Sequence, residues 1–201
     1  LGAPANLVHR DLTPHNLIIA ETGHVKILDF GVAKASTNQE KTETGMLKGK
    51  LPYMSPEQLW QAEVDRRSDV FTLGVVLWEL LIGDKLFARE QEVATINAVL
   101  NSTLPDIKTI RPDVPPEVLQ AALSALEKDL TKRTPSAEAF RSELMHGARA
   151  AMIDCSEEVV KRFVDGNLGP SLSARRLEVA AQVERSIGRH PGVSKDAVTE
   201  L

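Results

Sequence analysis

His9-Arg10-Asp11-Leu12-Thr13-Pro14-His15-Asn16 decides the reading of this chain, together with Asp29-Phe30-Gly31. A carboxylate, Asp11, and a carboxamide, Asn16, stand five residues apart, and a second carboxylate, Asp29, follows thirteen residues later. Carboxylate and carboxamide oxygens are hard donors of the kind that bind Mg²⁺. Between Asn16 and Asp29 lie two short apolar runs, Leu17-Ile18-Ile19 and Val25-Lys26-Ile27-Leu28, joined by Glu21-Thr22-Gly23-His24. That pattern reads as a small β-hairpin, which sets the two oxygen donors at neighbouring strand ends.

Outward from this centre the chain is helical. Residues 32–54 are polar and read as a long loop, and loops of that length are usually functional or disordered. A short helix is expected from Glu57 to Gln61. Asp65–Leu81 reads as a strong helix, apolar nearly all round and therefore a core element, with Gly83 as its stop. Further helices are expected over Glu92–Leu100, Glu117–Leu126 and Ser136–His146, with a proline-punctuated loop from Pro105 to Pro116. Beyond Gly147 two amphipathic helices are expected, one opening at Ser156 and ending at Gly166, the other opening at Ser173 and ending at Gly188.

Bulk properties exclude several classes. Of the 201 residues 26% are charged and 42% hydrophobic, an ordinary globular balance. A net charge of −4 leaves no basic footprint for nucleic acid or anionic membranes. The single cysteine, Cys155, forms no internal disulfide, which fits a reducing, cytoplasmic setting. No apolar run reaches the roughly 20 residues that span a bilayer. Val70 to Ile82 comes nearest, and it is short and contains Glu79.

Phosphoryl transfer needs an acid beside the substrate hydroxyl and oxygen donors for the metal on ATP. Asp11, Asn16 and Asp29 supply them in order, and Ser55-Pro56-Glu57 falls where an activation segment would end. Over Leu1 to about Leu144 the chain resembles the protein kinase family, specifically the C-terminal lobe of bacterial-type, myxobacterial-like serine/threonine kinases. The fold class expected is mainly α: a kinase-like C-lobe over 1–146 with a small β-hairpin at the active site, then a helical extension over 147–201.

The resemblance implies ATP and Mg²⁺ as cofactors and a protein as substrate. It makes Asp11 the catalytic base, Asn16 and Asp29 the metal and nucleotide ligands, and Leu17 and Ile18 further cofactor-binding residues. His9, Phe30 and Gly31 become structural, with His9 and Phe30 packing on each other. Glu57 is expected to pair with Arg133, and Asp69 to accept backbone N–H groups near His9 and Arg10. Arg10 is the expected partner of a phosphate on the activation segment, with Thr42 and Thr44 as acceptors; as ordinary loop threonines these two carry no such role.

Two departures matter. Serine/threonine kinases usually carry Lys two residues after the catalytic Asp and Thr in the later Gly-Thr-x-x-Tyr stretch. Here Thr13 and Lys50 hold those places, in Gly49-Lys50-Leu51-Pro52-Tyr53. The expected consequence is that Lys50 delivers a catalytic ammonium to Asp11, with Thr13 as its hydrogen-bond partner; the competing reading is lost competence. Only eight residues precede His9, too few for the family's glycine-rich loop, β3 lysine and αC glutamate. The chain is therefore read as part of a larger kinase, partnered in cis by an N-lobe and inactive without it. The alternative is a non-catalytic interaction module. A small-molecule kinase is disfavoured by Ser55-Pro56-Glu57.

Overall fold

In the computed structural model, residues 7–29 and 49–188 are described, with side chains to 182. The described chain is mainly helical with one two-stranded sheet. Strands β1 (Leu17–Ile19) and β2 (Val25–Ile27) pair antiparallel, with Leu17 opposite Ile27 and Ile19 opposite Val25. A 3₁₀ turn, Pro14–Asn16, leads into β1, and Pro14 supplies its fixed φ at the first position. A second 3₁₀ turn, Leu51–Tyr53, precedes helix α1 (Pro56–Leu59), with all three of its residues buried.

Helix α2 (Arg66–Ile82) is the central element. Its Asp65 cap accepts the Arg67 amide at 2.8 Å, and Gly83 closes it at φ 78°, a left-handed conformation open to glycine. Val70, Phe71 and Val75 are fully buried, as expected for a helix apolar on most faces. Around α2 pack α3 (Glu92–Asn101), α4 (Ile107–Ile110), α5 (Pro116–Ala125) and α6 (Ala137–Ala150). The one-turn helix α4 lies in the stretch read as a proline-punctuated loop; Asp106 caps it by accepting the Lys108 amide at 3.0 Å. Phe71 and Phe87 stack with centroids 6.0 Å apart, pinning the segment after α2 to the core. At Gly74 the α2 backbone approaches α5 closely: a Cβ there would stand 2.9 Å from the Ala125 Cβ.

Past α6, which runs through Gly147 to Ala150, the expectation of two tail helices is corrected. One helix, α7, runs from Glu157 to Gly188 with Pro170 inside it. Proline removes one helical hydrogen bond, leaving the Gly166 carbonyl without its donor. Gly166 is exposed, with open space around its Cα, so water reaches that carbonyl and the break is tolerated.

The described residues divide into two compact units, one of residues 7–19, 25–29 and 49–155, the other of residues 20–24 and 156–188. Within the second, His24 Nδ1 lies 2.8 Å from Glu157 Oε1, and Arg176 pairs with Glu21. Gly23, at φ 89°, lies so close to the Glu157 carbonyl that a Cβ would collide with it. Among the described residues no helix is long and apolar enough to cross a membrane.

Candidate active site

The loop from His9 to Asn16 is held from three sides. From α2, the Asp69 carboxylate accepts the His9 amide at 2.8 Å and the Arg10 amide at 2.9 Å. From the hairpin, the Leu28 carbonyl sits 2.8 Å from His9 Nε2. Since the Asp11 amide donates to His9 Nδ1 at 3.3 Å, Nδ1 is the bare nitrogen and Nε2–H donates to Leu28. From α1, Gln58 Nε2 donates to the Arg10 carbonyl at 3.0 Å. These anchors hold Arg10 at φ 65°, a conformation non-glycine residues rarely adopt and one that concentrates at functional sites.

Asn16 is locked as well. Its Nδ2 donates to the Asp11 carbonyl at 2.7 Å, and among the described residues the carboxamide oxygen is the end left for a ligand. The Asn16 carbonyl accepts the Leu28 amide at 2.8 Å, so the hairpin ties the Asn16 and Asp29 positions together. Asp29 lies just past β2 at φ 53°. An amide oxygen and a carboxylate are hard donors of the kind Mg²⁺ takes, so the donor types at 16 and 29 fit that ion.

Lys50 reaches back from the far side of the loop. Its Nζ lies 2.6 Å from Asp11 Oδ2, with side chains 27% and 17% exposed. The ammonium bonds Asp11 rather than Thr13, which is buried and lines the same small cavity with Lys50, Tyr53 and Thr72. That cavity is about 20 Å³, room for one water.

Beneath the loop, Glu57 and Arg133 form a buried bidentate pair with contacts of 2.7 and 3.1 Å. Ser68 donates to Glu57 Oε1 at 2.5 Å. Burial alone would raise the Glu57 pKa, but the Arg133 and Ser68 hydrogen bonds outweigh it and hold the carboxyl below its ordinary range. Leu17 lines an apolar groove of about 540 Å³ with Ile19, Val25, Val76 and Leu80. Ile18, on the other face of β1, is 44% exposed and lies outside that groove. Phe30, Gly31, Thr42 and Thr44 fall outside the described residues.

Sequence reasoning missed Ser68 and Thr72. Ser68 completes the Glu57 pair, and Thr72 Oγ1 donates to the Tyr53 carbonyl at 2.8 Å. Their signal was available: two hydroxyls at i and i+4 on a helix that is apolar elsewhere on its buried faces.

A model of the protein kinase domain matches residues 4–145. The chain is 46% identical over 178 residues to Tyrosine-protein kinase MasK of Myxococcus xanthus (strain DK1622), covering 89% of this chain and 28% of that protein. It is 36% identical over 138 residues to Serine/threonine-protein kinase PrkC of Bacillus subtilis (strain 168), covering 69% and 21%. To Probable serine/threonine-protein kinase PknB of Lactococcus lactis subsp. lactis (strain IL1403) it is 32% identical over 138 residues, covering 69% and 22%. The chain thus spans less than a third of the length of these relatives. The anchored His9–Asn16 loop, the hairpin beside it and these matches place the chain in the protein kinase family, in its bacterial type.

Proposed function

We propose that this chain is the catalytic-loop portion of a protein kinase that moves the ATP γ-phosphoryl group to serine or threonine hydroxyls. The observation that carries the reading is the convergence on Asp11: Lys50 on its carboxylate at 2.6 Å and the Asn16 carboxamide on its carbonyl at 2.7 Å. Lys50 engages Oδ2 and leaves the other carboxylate oxygen to receive the proton of a substrate hydroxyl. The Lys50 ammonium stands beside the oxygen that attacks, where it opposes negative charge building on the transferring group. Asn16 and Asp29 would hold Mg²⁺, which when bound to ATP screens the phosphate oxygens and favours departure of the ADP portion. Leu17 and Ile18, which follow Asn16 on β1, would contact the nucleotide. Arg10, exposed next to Asp11, would pair with a phosphate on Thr42 or Thr44 and so order the segment before Lys50. Residues 1–146 would carry this chemistry together with an N-lobe in cis that supplies the glycine-rich loop, and residues 147–201 would be a helical extension.

Leu12-Thr13-Pro14 after the base supports serine/threonine transfer, as do the names of the Bacillus and Lactococcus relatives. The name of the Myxococcus relative favours the second reading, transfer to tyrosine. Phosphoamino-acid analysis of a protein substrate labelled from γ-labelled ATP separates them. Phosphoserine or phosphothreonine that disappears with Asp11→Asn supports the first, and phosphotyrosine alone supports the second. The absence of any labelling by the intact protein removes both.

A further inference from the structure

Lys85 lies far in sequence from the active-site loop, in the segment after α2. Its neighbours Leu86 and Phe87 are buried at 4% and 1% exposure, so its backbone is fixed to the core although its side chain is 58% exposed. Its ammonium is nonetheless committed. Nζ donates to the Tyr53 hydroxyl at 2.6 Å and to Glu79 Oε2 at 2.9 Å, and it lies 5.3 Å from the centre of the Tyr53 ring. Tyr53 itself donates to the same Glu79 oxygen at 2.8 Å, and the other Glu79 oxygen accepts the Leu86 amide at 3.3 Å. A lysine, a phenol and a carboxylate thus close a three-membered ring of contacts on the end of α2.

Tyr53 ends the buried 3₁₀ turn that Lys50 begins. The turn is closed by the Met54 amide on the Leu51 carbonyl at 3.3 Å, and Pro52 stiffens it. Thr72 holds the Tyr53 carbonyl from α2. Two tethers therefore fix this turn on the central helix, one at the Tyr53 backbone and one at the phenol. Lys50, three residues before Tyr53, therefore reaches toward Asp11 from a fixed backbone position.

We propose that Lys85 is a positioning residue: its ammonium fastens the Tyr53 phenol to Glu79 and thereby sets where Lys50 meets Asp11. The inference rests on the catalytic reading of Lys50 for its consequence and on the geometry above for its mechanism. Lys85 touches neither Asp11 nor Lys50. Its effect passes chiefly through the phenol hydroxyl, so the losses from removing the ammonium and removing the hydroxyl are less than additive.

The test is a double-mutant cycle in the intact protein, read by steady-state kinetics and by amide hydrogen exchange. Lys85→Met is expected to lower kcat roughly tenfold or more, as misplacement of a reacting group does, with KM for Mg·ATP unchanged. Lys85→Arg keeps a cation and two donors and should restore most of kcat. In a Tyr53→Phe background, Lys85→Met should add much less than it costs alone, since only the ring and Glu79 contacts of the ammonium remain there. Exchange at the Met54 amide should rise in Lys85→Met and return in Lys85→Arg. Unchanged kcat, losses that add with Tyr53→Phe, or unchanged Met54 exchange would each overturn the proposal. If the wild-type protein transfers no phosphate, the catalytic reading fails by itself; a rise in Met54 exchange then still upholds the tether, and no rise removes it.

Discussion

The Lys50 ammonium lies 2.6 Å from the Asp11 carboxylate, although the two residues are 39 positions apart. Both side chains are largely shielded from solvent, so their charges are screened less than those of a surface pair would be. Lys50→Met is expected to lower kcat by roughly 10² or more, measured as phosphate transfer by the intact protein. Lys50→Arg should recover part of it. Unchanged turnover in Lys50→Met would remove Lys50 from the chemistry.

The Glu57–Arg133 pair should contribute to acid sensitivity. The folded pKa of Glu57 lies below its ordinary 4.5. Its contribution is then full above about 4.5 and is lost as pH falls through the lower folded value. Arg133→Met strands a buried carboxylate and should cost about 3–5 kcal/mol at neutral pH, read by urea unfolding. In Glu57→Gln the loss of stability below pH ~4.5 should be shallower than in wild type. An acid profile identical to wild type would assign that sensitivity to other carboxylates.

Asp69 fixes the active-site loop through two charge-assisted bonds to backbone amides. Each is worth roughly 1.5–3 kcal/mol, and together they hold Arg10 in its left-handed conformation. Asp69→Ala should speed amide exchange at His9 and Arg10 and lower kcat, while Asp69→Asn, which keeps one acceptor oxygen, should do less of both. Equal effects from the two substitutions would show that the acceptors are not what Asp69 supplies.

Gly74 sets the distance between α2 and α5. A methyl group there meets the Ala125 Cβ at 2.9 Å and the Leu126 Cγ at 3.1 Å, and neither is the free end of a long side chain. Gly74→Ala is expected to destabilise by about 1–3 kcal/mol through overpacking, despite alanine's better helix propensity. Thermal unfolding measures it; a rise in Tm would mean that the two helices part without penalty.

Much of this was legible from sequence because it is local. The hairpin follows from two apolar runs around Glu21-Thr22-Gly23-His24, and α2 from the spacing of Val70, Leu73 and Leu77 between Asp65 and Gly83. The tail was misread because Gly166 and Pro170 are helix breakers by propensity, yet an exposed carbonyl is satisfied by water and the helix continues. The short α4 was hidden between prolines, where a single capping aspartate suffices for one turn.

The sequence by itself determined the residue types and their order: Asp11, Asn16 and Asp29 at fixed spacings, and a lysine at 50 with a threonine at 13. Only the tertiary structure decided which of them meet. Lys50 bonds Asp11 and not Thr13, and Tyr53 is claimed by Glu79 and Lys85. Such contacts join residues tens of positions apart, and their geometry depends on where α2 holds each segment. Periodicity and spacing report the path of the chain over one or two turns, whereas a contact across the fold is set by packing that every segment shares.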